Sequence, residues 1–266
     1  TADSAINDKS GFDTKFEDLF KDRTEAELLA IRRKYGAEGD ILEAKARIEA
    51  IASDLVKHYL RNILPSGFKA QVVCSSKLAA IRYQEAIDKA LAEEIAAYEK
   101  QPPSSVSHEW LARLKFLKTA VVISSDGTNE SAAFIQARKQ ANELNAVESF
   151  KKKFDEANPN TGVAFLIVCD MLLTGFDAPI EQVMYLDKKL REHNLLQTIA
   201  RVNRTAKEKT RGYIVDYIGL AHHLHEALAM YSQDDRNDIL NSLQSIDSEL
   251  PVLESRYRRL LQLFTD

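Results

Sequence analysis

The residues with the sharpest chemical spacing lie in His193-Asn-Leu-Leu-Gln197-Thr-Ile-Ala-Arg201-Val-Asn-Arg204. Gln197, Arg201 and Arg204 are separated by four and three positions, which puts them on one face of a helix. Leu195, Leu196, Ile199 and Val202 fall on other sides and can anchor that helix to a sheet. Two guanidinium groups and an amide converging on one spot make a fork-shaped receptor for phosphate oxygens. A solvated basic face on a surface helix would show the same pattern. Local charge shifts the weighing. Residues 188–211 hold eight Lys or Arg against two Glu, an excess of +6, in a chain whose net charge is −4. Such a stripe is the footprint expected for a polyanion.

Two further groups offer weaker signals. Cys74-Ser75-Ser76-Lys77 stands where an apolar run turns into a helical pattern. Free N–H groups at a helix start attract anions, and small hydroxyls there can bond a phosphate oxygen or simply cap the helix. Ser124-Ser125-Asp126-Gly127 repeats that ambiguity. Asp170-Met-Leu-Leu-Thr174-Gly175-Phe176-Asp177-Ala178-Pro179 follows the most apolar run of the chain. Gly175 permits a sharp turn or close approach to a ligand, Thr174 offers a hydroxyl, and Asp177 offers a carboxylate that could bind a ribose hydroxyl. Pro179 stops a helix from crossing the loop; a plain connection would use the same residues. Trp110 reads as packing. His222, His223 and His225 lack matching Cys or carboxylates, so no metal site is assigned. No Ser-His-Asp or paired-carboxylate arrangement emerges.

These groups need a scaffold. Short apolar runs occur at Ala70–Cys74, Thr119–Ser124, Val163–Cys169, Gln182–Leu186 and Tyr213–Tyr217, separated by helical patterns near 77–100, 131–157 and 194–206. Continuous apolar runs mark strands of a parallel sheet covered on both faces. The fold class expected is therefore α/β, with a doubly wound, mostly parallel sheet. Ligands of such sheets bind at the carboxyl ends of the strands, where all three groups fall. Before the sheet, Ile41, Ala44, Ile48, Ile51, Leu55 and Tyr59 form one helical stripe that stops at Leu64-Pro65-Ser66-Gly67. The expected division is a helical lead-in over 1–66, the α/β domain over 67–218 and a helical extension over 219–266.

Composition excludes other classes. The 266 residues are 45% hydrophobic and 29% charged, with nine Gly, six Pro and two Cys, which rules out disorder, collagen and a disulfide scaffold. Cys74 and Cys169 read as unpaired core thiols. No run approaches a membrane span and no signal peptide is visible, so the expectation is a cytoplasmic protein without membrane contact. The chain begins without Met, which suggests processing or a piece of something longer.

The three groups in this order resemble the second RecA-like domain of a superfamily 2 helicase or translocase. Thr174-Gly-Phe-Asp-Ala-Pro179, Leu195-Leu-Gln-Thr-Ile-Ala-Arg-Val-Asn-Arg204 and Arg211-Gly-Tyr-Ile-Val-Asp-Tyr217 look closest to the R (motor) subunit of type I restriction enzymes. The resemblance covers roughly residues 60 to 220. It implies a RecA-like sheet of P-loop NTPase type that lacks the P-loop, since no G-x-x-x-x-G-K-[ST] occurs. No Asp-Glu-x-His-like stretch stands at a strand end, and Asp155-Glu156 is expected in a helix. The resemblance implies catalytic roles for Arg201 and Arg204 as arginine fingers, with Gln197 in the same motif. It implies nucleotide contacts at Gly175 and Asp177, and DNA-backbone contacts at Ser75, Ser76 and Thr174. Cys169 departs from the Thr that the wider superfamily often places at this strand end, and a thiol is a poor hydrogen-bonding substitute. ATP and Mg²⁺ would be bound mainly by a first RecA-like domain that this sequence does not contain. Implied partners are that domain and a nuclease domain of the same parent chain, double-stranded DNA, and modification and specificity subunits. Two alternatives stay open: another superfamily 2 DNA or RNA motor, and a non-motor α/β domain whose Arg pair docks an acidic partner.

Overall fold

Helix α1 (Lys45–Asn62) buries Ile48, Ile51, Ala52, Leu55, Val56, Tyr59 and Leu60, one face of a helix repeating at three and four residues. Arg61 in its last turn complements the helix dipole. Pro65 and the left-handed Gly67 (φ +75°) then turn the chain into the sheet. The structure is a computed structural model that describes residues 42–125, 127, 130–173, 175–190, 202, 209 and 211–219.

Five strands follow: β1 (Lys69–Cys74), β2 (Lys118–Val122), β3 (Val163–Val168), β4 (Glu181–Asp187) and β5 (Tyr213–Asp216). They pair in parallel in the order β2-β3-β1-β4-β5. Their bounds lie within two residues of the apolar runs in the sequence. Between β1 and β2 run α2 (Lys77–Glu99) and α3 (His108–Phe116); between β2 and β3 run α4 (Ala132–Glu143) and α5 (Ala146–Lys151). Serine side chains cap three of these helices: Ser76 accepts from the Ala79 N–H, Ser107 from Trp110 and Ser131 from Phe134.

Alternation along the strands divides the core into two. Ala70, Val72 and Cys74, with Phe165, Ile167, Val183 and Tyr185, share one cluster with the apolar faces of α1 and α2. Gln71, Val73, Leu166, Val168, Met184 and Leu186 are also buried and fall on the opposite face. There α5 contributes Phe150, and the Ser149 carbonyl accepts a bond from the buried Lys69 ammonium at 3.0 Å. Lys69 also donates to the Thr161 carbonyl at 2.9 Å and lies 4.7 Å from the Phe154 ring centre. With both faces covered, this is an all-parallel α/β sheet. Helix α1 shares the core of the sheet through Tyr59, whose hydroxyl donates to the Phe68 carbonyl at 2.9 Å.

Two local expectations change. The helical pattern over 131–157 is two helices, broken where Asn145 takes a left-handed conformation (φ 45°) that a short polar side chain tolerates. Asp155-Glu156 stands in a loop and turn rather than a helix: the Asp155 carbonyl accepts from the Thr161 hydroxyl, and Glu156 pairs with Arg113. Trp110 sits on α3, partly buried against the core, as packing requires. Both cysteines are buried and free. No helix among the described residues is long and apolar enough to cross a membrane.

Candidate functional site

The carboxyl edge of the sheet gathers the ends of β1, β3 and β4 side by side, with Cys74 in register with Asp187 and Val73 with Val168. The connection after β1 runs towards one edge of the sheet, to β2, and that after its neighbour β4 runs towards the other, to β5, which makes the carboxyl end between β1 and β4 a topological switch point, a recurrent ligand position in open α/β sheets.

The turn after β1 is held internally. Ser76 accepts from the Ala79 N–H at 3.0 Å and donates to the Glu43 carboxylate at 2.5 Å, while Arg82 bonds the Glu43 carbonyl. Glu43 therefore supplies an anion at the start of α2, the place where backbone N–H groups favour one. The Ser75 hydroxyl is buried with no hydrogen-bond partner among the described residues, and its carbonyl accepts from the Cys169 thiol at 3.7 Å. Burial, reinforced by Asp170, pushes that thiol up to about 11, which keeps it protonated. Lys188 donates to the Cys169 carbonyl at 3.1 Å and pairs with the Asp170 carboxylate. Burial opposes ionisation of Asp170, but bonds from Lys188 and Cys169 and the charges of Lys188 and Lys77 hold its carboxyl below the usual range. Lys77 donates to the Ser124 carbonyl at 2.9 Å, joining this turn to the one after β2. That second turn closes on itself, with Ser125 and Arg138 both bonded to Glu130.

The loop after β3 reaches the surface at two candidate residues. Gly175 has φ +71°, and a Cβ there would meet nothing within 4 Å, so conformation rather than space calls for glycine. On either side of the exposed Asp177, Phe176 and Ala178 are buried. Phe176 packs 6.2 Å from the Phe150 ring. The loop is thus pinned around Asp177, whose carboxylate stays at the surface.

Of the remaining candidates, Thr174, Gln197, Arg201 and Arg204 lie outside the described residues. Two neighbours inside the same basic segment are described. Val202 is 1% exposed, and a Cβ built on Gly212 would stand 2.1 Å from the Val202 carbonyl oxygen. Only glycine at 212 lets the two backbones pass. Lys209, read as part of the basic stripe, is buried and donates to the Glu181 carbonyl at 2.5 Å; burial lowers its pKa. Lys188 and Lys209 are therefore engaged inside the fold, and the stripe is narrower than the charge count implied.

One buried acid went unread in the sequence. Asp187, the last residue of β4, is 1% exposed at its side chain. It accepts both guanidinium nitrogens of Arg47, at 2.5 and 2.7 Å, and the Tyr83 hydroxyl at 2.6 Å. Arg47 also reaches the Tyr217 carbonyl at 3.4 Å. Burial disfavours the Arg47 charge, but the bond and charge of Asp187 outweigh it, and the pKa is raised. Among the described residues no group of His, Cys, Asp or Glu is placed to hold a metal ion.

Comparison with known proteins gives this edge a context. The family described as type I restriction enzyme subunit R domain 3 matches residues 66–219, more than half of the chain. The type I restriction enzyme HindI endonuclease subunit of Haemophilus influenzae is 33% identical over 210 residues, covering 77% of this chain and 18% of its own length. A Methanocaldococcus jannaschii protein named for the type I restriction enzyme MjaVIIP endonuclease subunit is 32% identical over 228 residues, covering 80% of this chain and 19% of its own. The chain thus spans about a fifth of the curated relatives it matches. A fragment structure named for the HsdR subunit of a type I restriction enzyme from Vibrio vulnificus YJ016 aligns over 68% of this chain and 28% of its own, at 17% identity and a TM-score of 0.45. The extent of the family match, with these relatives, makes this chain a member of the type I restriction enzyme R-subunit family, carrying its third domain.

Proposed function

We propose that this chain is the second motor lobe of an ATP-dependent double-stranded DNA translocase within a type I restriction R subunit. The observation that carries the reading is the carboxyl edge. The Gly175–Asp177 loop leaves β3, and the segment bearing Gln197, Arg201 and Arg204 leaves β4, from strands that flank β1 on either side.

Bound in the cleft between two lobes, ATP with Mg²⁺ supplies the phosphoryl group that is transferred to water. The residues here suit part of that ligand. Asp177 is an exposed carboxylate able to accept a ribose hydroxyl, beside a left-handed glycine that lets backbone approach. Arg201 and Arg204 would meet the terminal phosphate across the cleft and stabilise the charge that develops during transfer, with Gln197 orienting beside them. Arginine fingers of this kind contribute about 10³–10⁵ in rate. The phosphate-cradling loop and the metal carboxylates belong to the other lobe. Ser75, Ser76 and Thr174 would contact the DNA backbone, which positions a duplex without reading its sequence. For Ser76 that contact requires its hydroxyl to exchange Glu43 for a phosphate oxygen, and for Ser75 it requires the turn to open. Nuclease, modification and specificity functions would reside in other domains or subunits.

The test is ATP turnover by this chain alone and joined to its natural upstream lobe. The joined protein should hydrolyse Mg·ATP in a DNA-dependent way, while the isolated chain should not. Appreciable turnover by the isolated chain, abolished by Arg204→Ala, would overturn the division of labour.

A further inference from the structure

The Asp187 cluster sits where the segment with the candidate arginines begins. Strand β4 ends at Asp187, Leu190 is buried three residues on, and the segment carrying Gln197, Arg201 and Arg204 follows directly. Three separate elements converge on this one carboxylate: Arg47 from α1, Tyr83 from α2 and, through Arg47, the Tyr217 carbonyl just beyond β5. Tyr217 is itself tied to β4, its N–H donating to the Leu186 carbonyl at 2.9 Å. A fork of two parallel bonds fixes orientation as well as distance, which a single ammonium contact would not. A buried ion pair is a weak source of net stability, yet it can hold elements in one register. Helix α1 also precedes the sheet in the chain, on the side that leads to the upstream lobe of the proposed motor.

We propose that Arg47, Asp187 and Tyr83 form a positioning network for the arginine-bearing segment, fixing its point of departure relative to α1 and so setting where the fingers stand when the cleft closes. The inference rests on the motor reading. None of the three residues touches nucleotide; they act through the backbone of β4. Small misplacements of a catalytic group cost rate steeply while leaving ground-state binding intact.

The experiment uses the R subunit containing this chain, assembled with its partner subunits, and reads DNA-stimulated ATP hydrolysis together with thermal unfolding. Tyr83→Phe and Tyr59→Phe are a matched pair, since each removes one buried hydroxyl with a single defined acceptor. Arg47→Lys retains the charge but loses the fork, and Asp187→Asn retains the shape but loses the charge. The expected result is a kcat lowered about tenfold or more in Arg47→Lys and Asp187→Asn, and a smaller drop in Tyr83→Phe. KM for ATP should stay within about twofold in all of them. Tyr59→Phe should leave kcat unchanged at a similar cost in melting temperature. Equal kcat in Tyr83→Phe, Arg47→Lys and wild type, or equal losses in the two Tyr→Phe variants, would overturn the network. Arg204→Ala is run alongside: if it too leaves hydrolysis intact, the motor reading itself has failed, whereas its loss with an intact Arg47→Lys rejects the network alone.

Discussion

At the scale of single residues, burial sets the chemistry more firmly than residue type. Lys69 lies inside the fold with its ammonium between two carbonyls and two phenylalanine rings, and burial lowers its pKa to about 7. Between about pH 7 and the ordinary value of 10.5, the unfolded chain still holds a proton that the folded chain has shed. Stability therefore rises with pH in that window, and the burial penalty is fully present below it. Denaturant unfolding at pH 7 and 9 should show wild type gaining about 1–3 kcal/mol relative to Lys69→Met; parallel pH dependence would contradict it. Ser75 gives the converse case. Its hydroxyl is buried without a partner among the described residues, so Ser75→Ala should leave unfolding unchanged or raise stability by up to about 1 kcal/mol. A clear loss would mean the hydroxyl is satisfied. The same variant should weaken DNA binding by the R subunit if the turn meets the backbone as proposed.

At the scale of elements, the strands were readable because both faces of the sheet are covered, which leaves an unbroken apolar run for each. The stripe of α1 was equally plain, whereas the Ser75-Ser76 turn could be read as a helix cap or as a phosphate contact, and Ser76 is the cap. The break at Asn145 was not, because one left-handed residue leaves the helical periodicity on either side intact. Glu43, Arg47 and Asp187 left no spacing signal either: Arg47 and Asp187 are 140 positions apart and meet only because α1 packs over the end of β4. Lys209 misled for a related reason, since a lysine in a basic run reads as solvent-facing until a carbonyl is found to enclose it. Gly212 could have been noticed in Arg211-Gly-Tyr213, but the backbone it must pass belongs to Val202. Gly212→Ala should cost about 1–3 kcal/mol of stability through overpacking, measured by denaturant unfolding. It should also lower kcat for ATP in the R subunit by displacing the segment between Arg201 and Arg204. An unperturbed variant would show that the close pass is not required.

At the scale of the whole molecule, a net charge of −4 and an ordinary composition conceal a division of labour. The carboxyl edge carries the proposed contact residues, the sequence holds no phosphate loop, and the chain covers about a fifth of its relatives. These features fit a lobe that completes a site begun elsewhere. Removing the buried fork at Asp187 should therefore affect more than folding: Arg47→Ala leaves a buried carboxylate without its cation, at a cost of about 3–5 kcal/mol, and should lower kcat for ATP hydrolysis in the assembled enzyme. The most direct measurement of the central claim is the steady-state rate of DNA-stimulated ATP hydrolysis by the R subunit carrying Arg204→Ala, with nucleotide affinity measured on the same protein. The account predicts a fall in kcat of about 10³-fold or more with ATP binding largely retained. Wild-type turnover by that variant would contradict it.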